Sequence, residues 1–216
     1  MWAAEHEAKI LLARTPKDVD PYPASTFLYA TRNGELLIGT LNSEGLPDLA
    51  FTQHSKPLLL ICTNGKRDQC CATFGRDLIA ASKELLPPEF FDQILECSHL
   101  GGHRFAPTAI WVPDNLVLGR LNPRAVANLL EHGVIGSQFI RGDSKLTPAQ
   151  QVVHASVWPQ KPEFESSEQK DTDHHITALV NGIHQMFTVT TTIFETVASC
   201  GADPKSSTQY QLKEKI

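Results

Sequence analysis

Most apolar positions in this chain either alternate with polar ones or recur at helical spacing, but Pro57-Leu-Leu-Leu-Ile-Cys62 does neither. A continuous apolar run of that length predicts a strand buried on both faces. A polar loop, Thr63 to Gln69, follows it. From Cys71 to Leu86 the positions Phe74, Leu78, Ile79, Ala81, Leu85 and Leu86 fit a helix that Pro87-Pro88 stops. Phe91 to Cys97 reads as a second strand. Ala109 to Val112 and Leu116 to Leu118 read as strands joined by the turn residues Pro113-Asp114-Asn115. Asn122-Pro123 opens a helix that runs through Glu131, with Gly133 past its end as the C-cap.

Strand, helix, strand, strand, strand, helix is the order of a thioredoxin-like α/β core, a βαβ half followed by a ββα half. The flanks are less regular. Ala3 to Ala13 has helical spacing and Thr15-Pro16 ends it. Phe27 to Thr31 and Leu36 to Leu41 flank Asn33-Gly34, a strong hairpin signal. Beyond Arg141, Thr147 to Val157 predicts a short capped helix, and Lys161 to His175 is polar enough to predict a mobile loop. Ile176 to Val180 and Met186 to Ile193 predict a strand pair turning near Asn181-Gly182, and the tail after Gly201 is expected to fray. The expected organisation is one domain over residues 1–145, with its N-terminal hairpin, and an extension over 146–216 packed on it.

Composition narrows the function. With 41% hydrophobic and 20% charged residues the chain can bury a core. A net charge of -5 without any dense Lys/Arg run argues against nucleic-acid binding. No apolar run reaches membrane-spanning length, and the first residues lack the pattern of a secretory signal. Five cysteines is an odd number, and four lie between Cys62 and Cys97. That clustering favours metal-binding or catalytic thiols in a reducing compartment, here expected to be the cytoplasm, over a disulfide scaffold.

The candidate chemistry falls in the same window. Cys62 ends the buried strand and Cys71 starts the helix, where unpaired backbone N–H groups favour a thiolate. His99-Leu100-Gly101-Gly102-His103 follows the next strand, and its glycines let a short loop wrap a centre. A right-handed crossover brings the ends of both parallel strands to one edge of the sheet, where ligands collect. Two thiols and two imidazoles there suit a metal ion or an iron–sulfur cluster. Taken singly, the cysteines could be small core residues and the histidines surface turn residues. Cys70 reads as core, and Cys97 and Cys200 as structural thiols that could still compete as ligands. The remaining histidines receive no role. No Cys-x-x-Cys occurs, so thiol exchange through Cys70 or Cys71 lacks its usual motif.

The segments Cys62-Thr-Asn-Gly-Lys-Arg-Asp-Gln-Cys-Cys71, Phe74-Gly75-Arg76 and His99-Leu-Gly-Gly-His-Arg-Phe-Ala-Pro-Thr108 resemble the sucrase/ferredoxin-like family, a branch of the thioredoxin-like 2Fe–2S ferredoxins. The resemblance covers about Pro57 to Pro123. It implies a 2Fe–2S cluster held by Cys62, Cys71, His99 and His103, in the bis-histidinyl pattern. The function it implies is soluble electron transfer, proton-coupled through the histidine ligands. A redox partner protein, reductase or acceptor, would serve it, and the oligomeric state stays open, a homodimer included. No carboxylate pair marks a glycosidase. The alternatives are a structural zinc module on the same Cys2His2 set and a thiol oxidoreductase.

Overall fold

The computed structural model describes residues 10–16, 22, 26–31, 33–48, 50–66, 68–197 and 201–216. In chain order its first strands are β1 (Ala13–Arg14), β2 (Thr26–Ala30), β3 (Leu36–Thr40), β4 (Thr52–Gln53) and β5 (Leu58–Cys62). Helix α1 (Gln69–Lys83) leads to β6 (Ile94–Cys97), β7 (Thr108–Val112) and β8 (Leu116–Gly119), and then to α2 (Pro123–His132). β9 (Ile140–Asp143), α3 (Pro148–Val157), β10 (Glu163–Lys170), β11 (Asp173–Val180), β12 (Ile183–Val197) and β13 (Pro204–Lys215) complete the chain.

The main sheet runs β1-β6-β5-β7-β8-β9. β5 and β6 are parallel, with Cys62 opposite Cys97, and α1 joins them; every other pair is antiparallel. With α2 after β8, this is the expected thioredoxin-like core. β5 shows why its sequence does not alternate. Leu59 and Ile61 face α1 and α2, meeting Leu78, Val126 and Leu129, while Leu58, Leu60 and Cys62 face the sheet β2-β3-β4 through Leu36, Leu28 and Ala30. Both sides of the strand are covered, so both sides are apolar.

α2 ends as its sequence dictates. The Asn122 side chain accepts the Ala125 N–H, and Gly133 closes the helix at φ 67°. The strand expected from Phe91 is shorter: Pro88–Gln93 is a 3-10 turn, and β6 begins at Ile94. Pro88 suits the first turn of a helix, and Phe90 and Phe91 pack on the core without pairing as a strand. Of the helix expected over Ala3 to Ala13, residues 3–9 lie outside the described residues; 10–12 are not helical and Ala13 is in β1. The open edge of β6 supplies backbone partners, and the Ser98 N–H donates to the Leu12 carbonyl.

The C-terminal part departs most from expectation. The polar stretch 161–175 forms β10, a turn and the start of β11, and the tail after Gly201 forms β13 in place of a frayed end. Together they make an antiparallel sheet, β10-β11-β12-β13. Asn181 and Gly182 turn β11 into β12 with φ of 51° and 76°, the positive pair of a type I′ hairpin. One face of that sheet, with Ile176, Ala178, Val180, Phe187 and Val189, packs on Ala149, Val153 and Val157 of α3. The outer strands are largely exposed, so backbone ladders hold them and no apolar pattern announces them.

His154 on α3 is 5% exposed, edge-on to Trp158 at 5.5 Å. It lines a cavity of about 370 Å³ with Asp114, Asp143, Lys145 and Lys161. Burial lowers its pKa, opposed by Asp143 and helped by Lys145 and Lys161. The unfolded chain therefore binds a proton near the ordinary value of about 6.5 while the native chain stays neutral. Stability should fall as pH drops below about 6.5 towards the lowered value. Urea midpoints at pH 7.5 and 5.5 check this: His154→Leu should lose less across that interval than the parent, and an equal loss would exclude His154 as the cause.

Candidate metal centre

The centre begins at the last residue of β5. Cys62 ends that strand, Cys71 is the third residue of α1, and His99 lies two residues past β6. Their donor atoms all lie within 4.8 Å of one another. Both cysteines are fully buried, and the His99 side chain is 17% exposed. Three elements thus converge at the carboxyl edge of the parallel pair. Gly75 permits this. A Cβ there would collide with the Cys62 carbonyl oxygen and crowd Thr63 Cγ2 at 3.2 Å. Only a helix without that carbon can lie close enough to the strand end to bring Cys71 to Cys62.

The Cys71 thiol does not behave as the helix terminus alone suggests. Burial pushes the Cys71 pKa well up, and the neighbouring Cys62 thiol, hydrogen-bonded to it, adds to the rise. The expected bias of Cys71 towards thiolate is therefore overturned, because desolvation outweighs the helix dipole. A bound cation reverses that balance, since metal ligation deprotonates a thiol. None of Cys62, Cys70, Cys71 and Cys97 is in a disulfide. Cys97 is buried opposite Cys62 in the sheet but stands outside the convergent trio. Cys200 lies outside the described residues.

Asp68 escaped the sequence reading. It is the N-cap of α1, yet its side chain does not cap the helix. The carboxylate is instead completely buried, with Oδ2 3.5 Å from His99 Nε2. An Asp two residues before the cysteine doublet carried a visible cap signal; its use by a histidine 31 residues away did not.

His103 takes a different partner from the trio. Its Nδ1 lies 3.7 Å from Cys70 Sγ, and its Nε2 lies 3.0 Å from the Val197 carbonyl at the end of β12. A carbonyl only accepts, so this contact fixes the proton on Nε2. The next residue, Arg104, donates from Nη1 to Thr196 Oγ1 at 2.9 Å. The C-terminal sheet therefore holds the histidine loop. Gly101 and Gly102 have φ of 91° and 70°, left-handed values that suit glycine. Gly102 has a further task, because a Cβ on it would meet Arg141 Nη1 at 2.5 Å.

Three of the other described histidines have partners away from the centre. His54 bonds Tyr22 Oη at 2.9 Å, His184 contacts Glu165, and His174 lies tilted against the Tyr210 ring. Among the described residues, no helix is long and apolar enough to cross a membrane.

A family model described as sucrase/ferredoxin-like matches residues 9–146. Altered inheritance of mitochondria protein 32 of Debaryomyces hansenii is 30% identical over 92 residues, covering 40% of this chain and 34% of that one. The Saccharomyces cerevisiae protein of the same name is 35% identical over 98 residues, covering 38% and 31%. The chain thus spans about a third of the length of these relatives. Among solved structures, a thioredoxin-like 2Fe–2S ferredoxin from Aquifex aeolicus is similar at a TM-score of 0.35 and 17% identity, covering 43% of this chain and 96% of that one.

Proposed function

This chain belongs to the sucrase/ferredoxin-like family, and from that premise we propose that it is an electron-transfer protein carrying one 2Fe–2S cluster on Cys62, Cys71, His99 and His103. The observation that carries the reading is the convergence of Cys62, Cys71 and His99 within 4.8 Å at the sheet edge. The donor set fits the group: thiolates and imidazoles both ligate such clusters. The surroundings of the histidines support it too. A ligating histidine characteristically gives its second nitrogen to a carboxylate or a carbonyl. His99 Nε2 faces Asp68, and His103 Nε2 faces the Val197 carbonyl. On this reading both ligate through Nδ1.

When bound, the cluster supplies one-electron chemistry. The chain does the rest. β5 and α1 exclude water from the two thiols, and Asp68 orients His99 and balances positive charge. The Val197 carbonyl keeps a proton on His103 Nε2, the atom through which any coupling of electron to proton would pass. The partner on this proposal is a redox protein, and the compartment a reducing one: the cytoplasm, or the organelle that the names of the yeast relatives mention.

One observation favours a second reading. Two thiolates on one zinc lie at most about 4.6 Å apart, given Zn–S bonds of ~2.3 Å, and the trio is nearly that compact. A structural zinc site is therefore the rival. Thiol exchange through Cys71 fits less well, since that thiol is buried with a raised pKa, and half-buried Cys70 lacks a Cys-x-x-Cys partner. Protein purified without oxygen should show visible absorption that bleaches on reduction, with iron and acid-labile sulfide near two per chain. A colourless protein with one zinc per chain would replace the proposal with the rival.

A further inference from the structure

Phe105 lies two residues past His103, and three guanidinium groups surround its ring. The Cζ atoms of Arg104, Arg120 and Arg141 stand 5.1, 5.0 and 4.2 Å from its centroid. The three are therefore within about 10 Å of one another, a distance that ~0.1 M salt screens only partly. Among the described residues none of them forms an ion pair with a carboxylate. The chain carries 24 acidic residues and a net charge of -5, so carboxylates are plentiful, yet among the described residues none pairs with this cluster.

The fold makes room for the cluster at a cost. Arg141, half-buried, has its pKa lowered by burial and then by Arg104 and Arg120. Two glycines clear its path: a Cβ on Gly102 would meet its Nη1 at 2.5 Å, and one on Gly119 its Cδ at 2.6 Å. Arg120 holds a left-handed φ of 56°, which glycine or asparagine would adopt with less strain. The three residues come from the histidine loop, the turn after β8 and β9, so no single local motif brings them together. Three like charges have been collected against repulsion, burial and backbone strain.

We propose that Arg104, Arg120 and Arg141 form a binding site for a phosphate group, either inorganic phosphate or the phosphate of a small ester. A guanidinium presents planar paired donors that match phosphate oxygens. Among the described residues Arg104 donates to Thr196, and a guanidinium in π contact with a ring can still donate through its N–H edge. A phosphate monoester carries nearly two negative charges and three terminal oxygens, enough for donors arriving from three elements. A single carboxylate has two oxygens in one plane and is satisfied by one or two arginines. The site stands whether the neighbouring centre holds iron or zinc.

Calorimetric titration of the full chain at low salt tests this with inorganic phosphate, glycerol phosphate and citrate. Saturable binding of one phosphate or one glycerol phosphate per chain is expected, tighter than citrate, and the tighter of the two identifies the source. Arg104→Gln and Arg120→Gln should each weaken it about tenfold or more, the scale of one lost charge-assisted contact. Lys170→Gln, on exposed β10, should leave it unchanged. Arg120→Gln without ligand should unfold at the same temperature as the parent or higher, because the repulsion falls while the backbone strain at φ 56° stays as it was. Absence of saturable phosphate binding, a preference for citrate, or binding that survives both arginine substitutions would overturn the proposal.

Discussion

With the proposed cluster in place, Cys62→Ser is expected to empty the centre, iron and sulfide falling to a small fraction of the parent's and the visible bands going with them. Cys71→Ser is expected to do the same. Each thiol is fully buried within 4.8 Å of the other donors, so no water or surface residue replaces it without opening the core. A serine hydroxyl keeps the size but is a far harder and less acidic ligand. The loss also appears as stability, since a group bound only by the native chain stabilises it by mass action. Cys70→Ser is the informative control. Cys70 is half-buried, contacts His103 and stands outside the convergent donor group. It should retain most of the cluster. Metal analysis and visible spectra of all three variants, purified without oxygen, decide the ligand set. A Cys70→Ser protein as empty as Cys62→Ser would move Cys70 into the set.

Gly75→Ala has the second large effect, and its sign runs against helix propensity. In an ordinary helix interior the change gains roughly 1 kcal/mol. Here the added carbon meets the carbonyl oxygen of Cys62, on a strand buried on both faces that cannot retreat. Overpacking of this kind costs about 1–3 kcal/mol or more. The net expectation is a loss of stability together with a wider gap between Cys62 and Cys71, and so a fall in bound metal. Urea unfolding of the metal-free chain isolates the packing part. A neutral or stabilised Gly75→Ala protein would show that α1 does not need this close approach.

How much of this could be read from the chain depends on how local each cause is. Asn122, Pro123 and Gly133 bound α2 by contacts within a few residues, and the Thr147 to Gln150 capping box does the same for α3. β5 was legible because burial on two faces leaves a run that no half-exposed strand shows. β10 and β13 were not, since their polar side chains face water and only distant backbone holds them. The Phe90-Phe91 turn misled because an apolar pair says that it is buried, not how its backbone runs. At the centre, the strand-end placement of Cys62, Cys71 and His99 followed from the parallel crossover. The orientation of His103 did not, being set by Val197, 94 residues away. Arg141 gave no signal at all.

The double burial of β5 also divides the centre in time. Amides of a strand covered on both faces exchange with solvent chiefly through global unfolding, whereas a solvent-edge loop opens by itself at small cost. Cys62 therefore rides on the slowest-opening part of the fold. His99 and His103 ride on a loop with two left-handed glycines, whose far end meets Val197, Thr196 and Cys70. Such a centre has a fixed half and a hinged half. On the proposed ligand set, loading and loss would both proceed through the histidine side, with the thiols as the last donors to let go.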